Sequence, residues 1–91
     1  MKLIFCPNCQ DVRKLNTKHI VSCDCGKSFG KYNDNLNATI GGDAIPLGFA
    51  NNTLSNALKM RPIKGMGRTF TAFVIPVECP TIKQGKLSEI L

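Results

Sequence analysis

Cys6-Pro7-Asn8-Cys9 and Cys23-Asp24-Cys25-Gly26, separated by the thirteen residues 10–22, are the stretches whose reading decides the fold. A Cys-x-x-Cys turn holds two thiolates on one tight bend, so both sulfurs converge on one point while backbone donors approach them. The second pair has a single intervening residue and is followed by Gly26, which permits the positive backbone angle such turns often require. Zinc prefers soft ligands in a tetrahedron and needs no redox partner, so Cys6, Cys9, Cys23 and Cys25 are the expected ligands of one structural zinc ion. Three alternatives remain open at this level: reduced buried thiols, a redox pair, and an iron–sulfur site drawing on the same four residues. Cys79 reads as a buried small hydrophobe at a strand end, although it competes for a ligand position. His19, the one histidine, reads as an exposed strand residue that competes in the same way.

At these residues the chain resembles zinc ribbons, since CPNC, a hairpin and then CDCG look like two rubredoxin-type knuckles. The likeness spans Leu3 to Gly26 and departs from the ribbon pattern at the shorter second pair. The continuation, CGKSFGKYNDNLNATIGGDAIPLGFANNTL and later AFVIPVECPTIK, resembles a family of small uncharacterised proteins from bacteria and their viruses. That resemblance implies no reaction.

Working outward from the cysteines, Leu3 to Phe5 reads as a strand entering the first pair. Val12 to Leu15 and Ile20 to Ser22 read as the two arms of a hairpin around Asn16-Thr17-Lys18. Asn33-Asp34-Asn35 after Tyr32 is a turn signal, because these side chains bond their own backbone. Leu36, Ala38 and Ile40 alternate, as do Ile45, Leu47 and Phe49 beyond Gly41-Gly42-Asp43, which predicts a second hairpin. Pro46 lacks a donor and assigns its strand to an edge or a bulge. Asn51-Asn52-Thr53 caps a two-turn helix whose stripe of Leu54, Ala57 and Leu58 packs on a sheet face, and Pro62 closes it. Phe70 to Val77, apolar at nearly every position, predicts a central strand buried on both faces. The remaining 81–91 is a weakly amphipathic tail.

The sum is one domain over residues 1–91, comprising a zinc hairpin (1–28), a sheet with a short helix (29–80) and the tail. The expected fold class is mainly β, a small α+β protein in which a zinc-ribbon hairpin precedes a small antiparallel sheet with one short helix. The chain has 91 residues, 43% of them hydrophobic, which is the composition of a folded domain. The apolar start before Cys6 is far short of a signal peptide, and no run approaches a membrane span. Paired cysteines suited to a metal imply a reducing compartment, so a soluble, cytoplasmic protein is expected.

Twelve Lys and Arg oppose six Asp and Glu, a formal charge of +6 that favours anionic partners. No acidic residue falls between Asp43 and Glu78, whereas Lys59, Arg61, Lys64 and Arg68 fall within ten positions. Gly65 and Gly67 let backbone amides approach a phosphate there, and a helix N-terminus at Asn51, Asn52 and Thr53 adds a positive dipole end. Tyr32, beside Lys31, is the aromatic expected to be exposed for base stacking. Nucleophile-elbow, HExxH and Walker signatures are absent from the sequence, and a filled four-cysteine site leaves no position for a catalytic water. The expectation is a non-enzymatic protein that binds nucleic acid or a phosphate-bearing nucleotide. Its alternative is an interaction module docking on an acidic protein surface, such as a small viral inhibitor of a host defence protein, or a sequesterer of a signalling nucleotide.

Overall fold

The computed structural model describes residues 1–90. The chain forms β1 (Lys2–Phe5), β2 (Val12–Lys14), β3 (Val21–Ser22), β4 (Ser28–Tyr32), β5 (Ala38–Gly42), β6 (Ile45–Phe49), α1 (Asn51–Lys59), β7 (Ala72–Val74), β8 (Ile82–Gln84) and the single turn α2 (Leu87–Ile90). The strands make two four-stranded sheets, β2-β1-β6-β7 and β3-β4-β5-β8. All pairs are antiparallel except β5 with β8. The molecule is therefore mainly β with one helix of more than a turn, in the expected class. Among the described residues no helix is long and apolar enough to cross a membrane.

The strand pairing differs from the sequence reading in an instructive way. Residues 12–15 and 20–22 do not pair with each other. β2 turns back on β1 with Phe5 opposite Val12, and β3 pairs with β4 with Ser22 opposite Phe29. Each cysteine pair thus closes its own hairpin, and the two hairpins belong to different sheets. The second expected hairpin divides likewise: β5 and β6 are joined by a tight bend at Gly42 (φ 66°), yet β5 pairs with β4 and β6 pairs with β1. Alternation identifies a strand's two faces but carries no information about its neighbour.

The core lies between the sheets. Ile4 from one sheet meets Ala38 and Ile40 from the other, with Leu15 beside them and Tyr32, Ala44 and Ile82 at the margin. The strand buried on both faces is β5, where Ala38, Thr39, Ile40 and Gly41 are all buried. Its residues are small, so apolar content does not mark it: a Cβ on Gly41 would stand 2.1 Å from the Gly85 carbonyl oxygen and 2.4 Å from the Phe29 ring, so only glycine fits.

Phe70 to Val77 is not the central strand. Its paired part, β7, is an edge strand exposed at all three residues. Pro46 is likewise not at an edge, because β6 lies between β1 and β7. The Pro46 carbonyl accepts from Ile75 N at 2.9 Å on the β7 side. The missing proline donor faces that same side, opposite Ile75, so this pair makes one hydrogen bond where two would otherwise form, and the β7 ladder ends there.

The helix starts one residue earlier than its polar run suggested. Ala50 is the N-cap, with no side-chain bond, and Asn51 is already helical. No residue of α1 is buried, so its apolar stripe is not packed on a sheet face. Residues 81–90 carry more structure than a tail: β8 adds to β5 in parallel with Ile82 opposite Ala38, and Gly85 N donates to Ile40 O at 2.9 Å.

Candidate metal centre and cationic groove

Two knuckles are built alike. In the first, Cys6 N donates to Asp11 O at 3.0 Å, and in the second Cys23 N donates to Ser28 O at 3.0 Å, so each closes a loop of four residues. Each also turns at a left-handed residue directly after its second cysteine: Gln10 (φ 60°) in the first and Gly26 (φ 76°) in the second. The shorter Cys23-x-Cys25 spacing is accommodated by a tighter turn, in which Gly26 N bonds Cys23 O, whereas Gln10 N bonds Cys6 O four residues back.

The four sulfurs of Cys6, Cys9, Cys23 and Cys25 all lie within 4.8 Å of one another. Cys6 Sγ is 3.6 Å from Cys25 Sγ, and Cys23 Sγ is 3.5 Å from Cys25 Sγ. A disulfide would need about 2.05 Å. Ligands at about 2.3 Å from a tetrahedral ion stand about 3.8 Å apart, so the separations suit a single metal ion shared by four thiolates.

The surroundings favour the thiolate form where burial is deepest. Cys6 is fully buried, and the hydroxyl of Ser28 beside it, with the backbone N–H groups of Cys9 and Asn8 and the Cys23 thiol, holds its pKa down to about 6 against the effect of burial. Ser28 Oγ is itself buried with no partner in full hydrogen-bond geometry. A buried hydroxyl in that position is satisfied by donating to a negatively charged sulfur, as the outer groups of thiolate metal sites do. Burial raises Cys23, but the Ser28 N–H, 3.4 Å from its sulfur, and the Cys25 thiol bring it below the usual thiol value. Cys25 has the Lys27 N–H to lower it, yet burial and the three neighbouring sulfurs outweigh that and push it up to about 12. Without a cation, the cluster cannot hold four negative charges together. With one, the charges that drive Cys25 up are neutralised.

A polar clamp ties the knuckles on their outer side. Arg13 donates to Asp11 at 2.6 Å and to Asp24 at 2.8 Å, and Asp24 N donates to Asp11 at 3.1 Å. This lowers the Asp11 carboxyl below its usual value, chiefly through the Arg13 hydrogen bond. Composition gave no sign of this triad, and only the tertiary fold reveals it.

Neither competitor for a ligand position joins the cluster. Cys79 Sγ lies 3.3 Å from Thr81 Oγ1, and His19 is exposed in the bend before β3.

The basic loop and the helix do come together. Arg61, Lys64, Gly65, Gly67 and Arg68 line an open groove of about 330 Å³ with Leu54, Leu58 and Phe70. An adjoining hollow of about 420 Å³ sets Arg68 and Gly67 against Thr53. Lys59, at the end of α1, is exposed and lines neither.

Other expected anion contacts are otherwise engaged. Asn51 Oδ1 accepts from the amino group of Met1 at 3.0 Å. Thr53 Oγ1 donates to Ala50 O and accepts from Thr71 N, and Asn52 is exposed. Tyr32 is half-buried against the core, its hydroxyl accepting from Lys2 N at 2.7 Å, so its position differs from the exposed aromatic expected for stacking.

No family model, curated protein or solved structure matches this chain, so its likeness to zinc ribbons rests on the four-cysteine cluster alone.

Proposed function

We propose that the chain is a non-enzymatic binding protein, in which zinc fills the four-cysteine centre as a structural ion and the cationic groove takes an anionic partner, nucleic acid or a phosphate-bearing nucleotide. The sulfur spacing supports a single ion rather than a cluster of several metal atoms, which would hold its sulfurs farther apart. Four thiolates complete the tetrahedron and leave no open position for a substrate or a catalytic water. The groove is the observation that carries the binding role. Arg61, Lys64 and Arg68 converge on it together with Gly65 (φ 89°), whose left-handed backbone and open surroundings leave its amide accessible.

A second reading draws on a different feature of the same groove. Its floor is aliphatic, and Ile63 and Met66 beside it are almost wholly exposed, which suits the apolar anchors of an acidic protein surface.

Fluorescence anisotropy with a labelled single-stranded oligonucleotide separates the two. Three phosphate contacts give a slope of about −2 in log affinity against log salt, and the triple variant Arg61→Glu, Lys64→Glu, Arg68→Glu abolishes binding. Absence of binding at low salt, together with a protein partner retained through nuclease treatment, transfers the groove to the second reading. Native mass spectrometry checks the metal independently, through the mass of one zinc ion per chain.

A further inference from the structure

Resting on the anionic-partner reading of the groove, we propose that it takes a single nucleic-acid strand across two base subsites, with the phosphodiester between the two bases held at Arg68. The helix supplies the division into two. Leu54, Ala57 and Leu58 line the groove, and Thr53, Asn56 and Ala57 line the adjoining hollow. The two sets have the same spacing and are offset by one residue, which turns a helix face by about 100°. α1 therefore presents a different face to each compartment. Gly67 and Arg68 from the returning loop line both, as Ala57 does, so the boundary between the compartments runs through these three residues.

Arg68 is held at that boundary without being neutralised. Its Nη2 donates to Met60 Sδ at 3.1 Å, and among the described residues the ion pairs are those of Arg13 with Asp11 and Asp24. A thioether is a weak acceptor with no charge, so the guanidinium keeps its demand for an anion. The compartments on either side differ in chemistry. One has Leu54, Leu58 and Phe70, whose ring packs edge-on against Phe49 with centroids 5.0 Å apart, which fixes its orientation. Such a wall takes the face of any base, because stacking is tolerant of sequence. The other exposes Asn56 and Thr69, an amide and a hydroxyl that supply donors and acceptors to a base edge.

Charge complementarity selects an anionic occupant, since Arg61, Lys64 and Arg68 fall in a segment with no acidic residue between Asp43 and Glu78. The order of hollow, cation and hollow then repeats the order of base, phosphate and base along a strand. Volumes of about 330 and 420 Å³ lie at the small end of ligand pockets, which run from about 300 to 1,000 Å³, so each compartment suits one nucleotide. A duplex keeps its bases stacked and offers their edges to protruding elements, whereas concave compartments receive bases splayed out of a single strand.

Fluorescence anisotropy on the metal-loaded full chain compares three labelled probes of about ten nucleotides: a mixed-sequence DNA strand, an abasic strand with the same phosphates, and the first strand paired with its complement. The base-bearing strand binds at least about tenfold tighter than either of the others, although the duplex carries more phosphates. Phe70→Ala and Asn56→Ala each weaken that strand about fivefold or more and leave the abasic strand unchanged. Asn56 is an exposed residue of α1, so its variant keeps the fold and decides the matter if loss of the Phe49 contact unfolds Phe70→Ala. Equal binding of the base-bearing and abasic strands overturns the two-subsite proposal and leaves the anionic groove standing. Strand binding indifferent to both variants overturns it too, as does tighter binding of the duplex, of polyglutamate or of phosphatidylserine vesicles. Binding of none of these probes at low salt removes the anionic-groove reading and this proposal together.

Discussion

Replacing Cys9 by Ser tests how far the metal holds this molecule together. Structural zinc in small domains supplies an apparent 10–16 kcal/mol or so of folding free energy, so an equal share for each of four ligands is about 2.5–4 kcal/mol. A 91-residue chain has about 5–14 kcal/mol of total stability. Loss of one ligand therefore leaves a folded but weakened protein, whereas removal of the ion consumes the whole margin. For a domain of this size 1 kcal/mol moves the midpoint by about 4–8 °C, so Cys9→Ser lowers Tm by roughly 10–30 °C. A strong chelator abolishes the cooperative transition of the wild type. Thermal unfolding followed by circular dichroism, with released zinc measured in parallel, reads both effects. Cys79→Ser is the control, because Cys79 meets Thr81 and not the cluster; its Tm stays within about 3 °C of wild type. The reasoning fails if Cys9→Ser and the chelated protein both unfold at the wild-type temperature.

Three further outcomes follow from the backbone and its turns. Gly41→Ala sets a methyl group against the Gly85 carbonyl and the Phe29 ring, and a fall in the urea midpoint equivalent to about 2–3 kcal/mol is expected. Gly26→Ala meets no neighbouring atom within 4 Å, yet φ of 76° costs a side-chain-bearing residue about 1–2 kcal/mol, so thermal stability falls while the metal stays bound at one ion per chain. Asp34 accepts from Asn37 N at 2.7 Å, the Asn37 side-chain amide at 2.9 Å and Leu36 N at 2.8 Å, which holds its carboxyl at about 2. A depressed carboxyl stabilises the fold above its unfolded value and loses that contribution as pH falls toward the folded one, so the deficit of Asp34→Ala in denaturant titrations, full at neutral pH, closes between 3.8 and about 2.

The sequence carried the chemistry of this protein better than its topology. Four cysteines in two tight pairs announce a shared ion whatever the strands do, because thiolate convergence is local to each turn and the bends are set by a few residues. The left-handed angle after Cys25 was legible in Gly26, but its counterpart at Gln10 was not, since no residue type there advertises it. The turn at Asp34 was legible for the same local reason. Strand pairing is a long-range property. Residues 12–15 and 20–22 lie close in sequence and look like one hairpin, yet each is claimed by a partner that the knuckle next to it turns back. Hydrophobicity misled most at 70–77, where a run rich in Phe, Val and Ile lies at an edge, while Ala38-Thr39-Ile40-Gly41 fills the interior. Apolar content measures what a residue gains by burial but not whether a neighbour is available to provide it. The joining of loop 61–68 to α1 in one groove was equally invisible, because those cations have no periodicity that fixes their direction.

The division of the knuckles between sheets explains why four sulfurs outweigh their small share of the chain. Cys6 and Cys9 cap the β1–β2 hairpin of one sheet, while Cys23 and Cys25 cap the β3–β4 hairpin of the other. One ion bound to all four is therefore a cross-link between sheets, placed at the same end as the bend at Gly42 that joins β5 to β6, where Phe5 pairs with Ile45, Ser28 pairs with Gly42 and Asn8 donates to Asp43. The apolar layer beyond this fastened end is thin: Ile4, Leu15, Ala38 and Ile40 are its buried cluster. A layer of that size aligns two sheets already fastened at one end, but it offers little to oppose their separation once the ion is lost. Asp11, Arg13 and Asp24 bridge the same gap on the solvent side, where exposure and salt reduce what an ion pair contributes. When the metal leaves, the β1–β2 and β3–β4 hairpins lose their cross-link, and the covalent bend at Gly42 beside them is what keeps β5 and β6 near each other after the Ile4 cluster has opened.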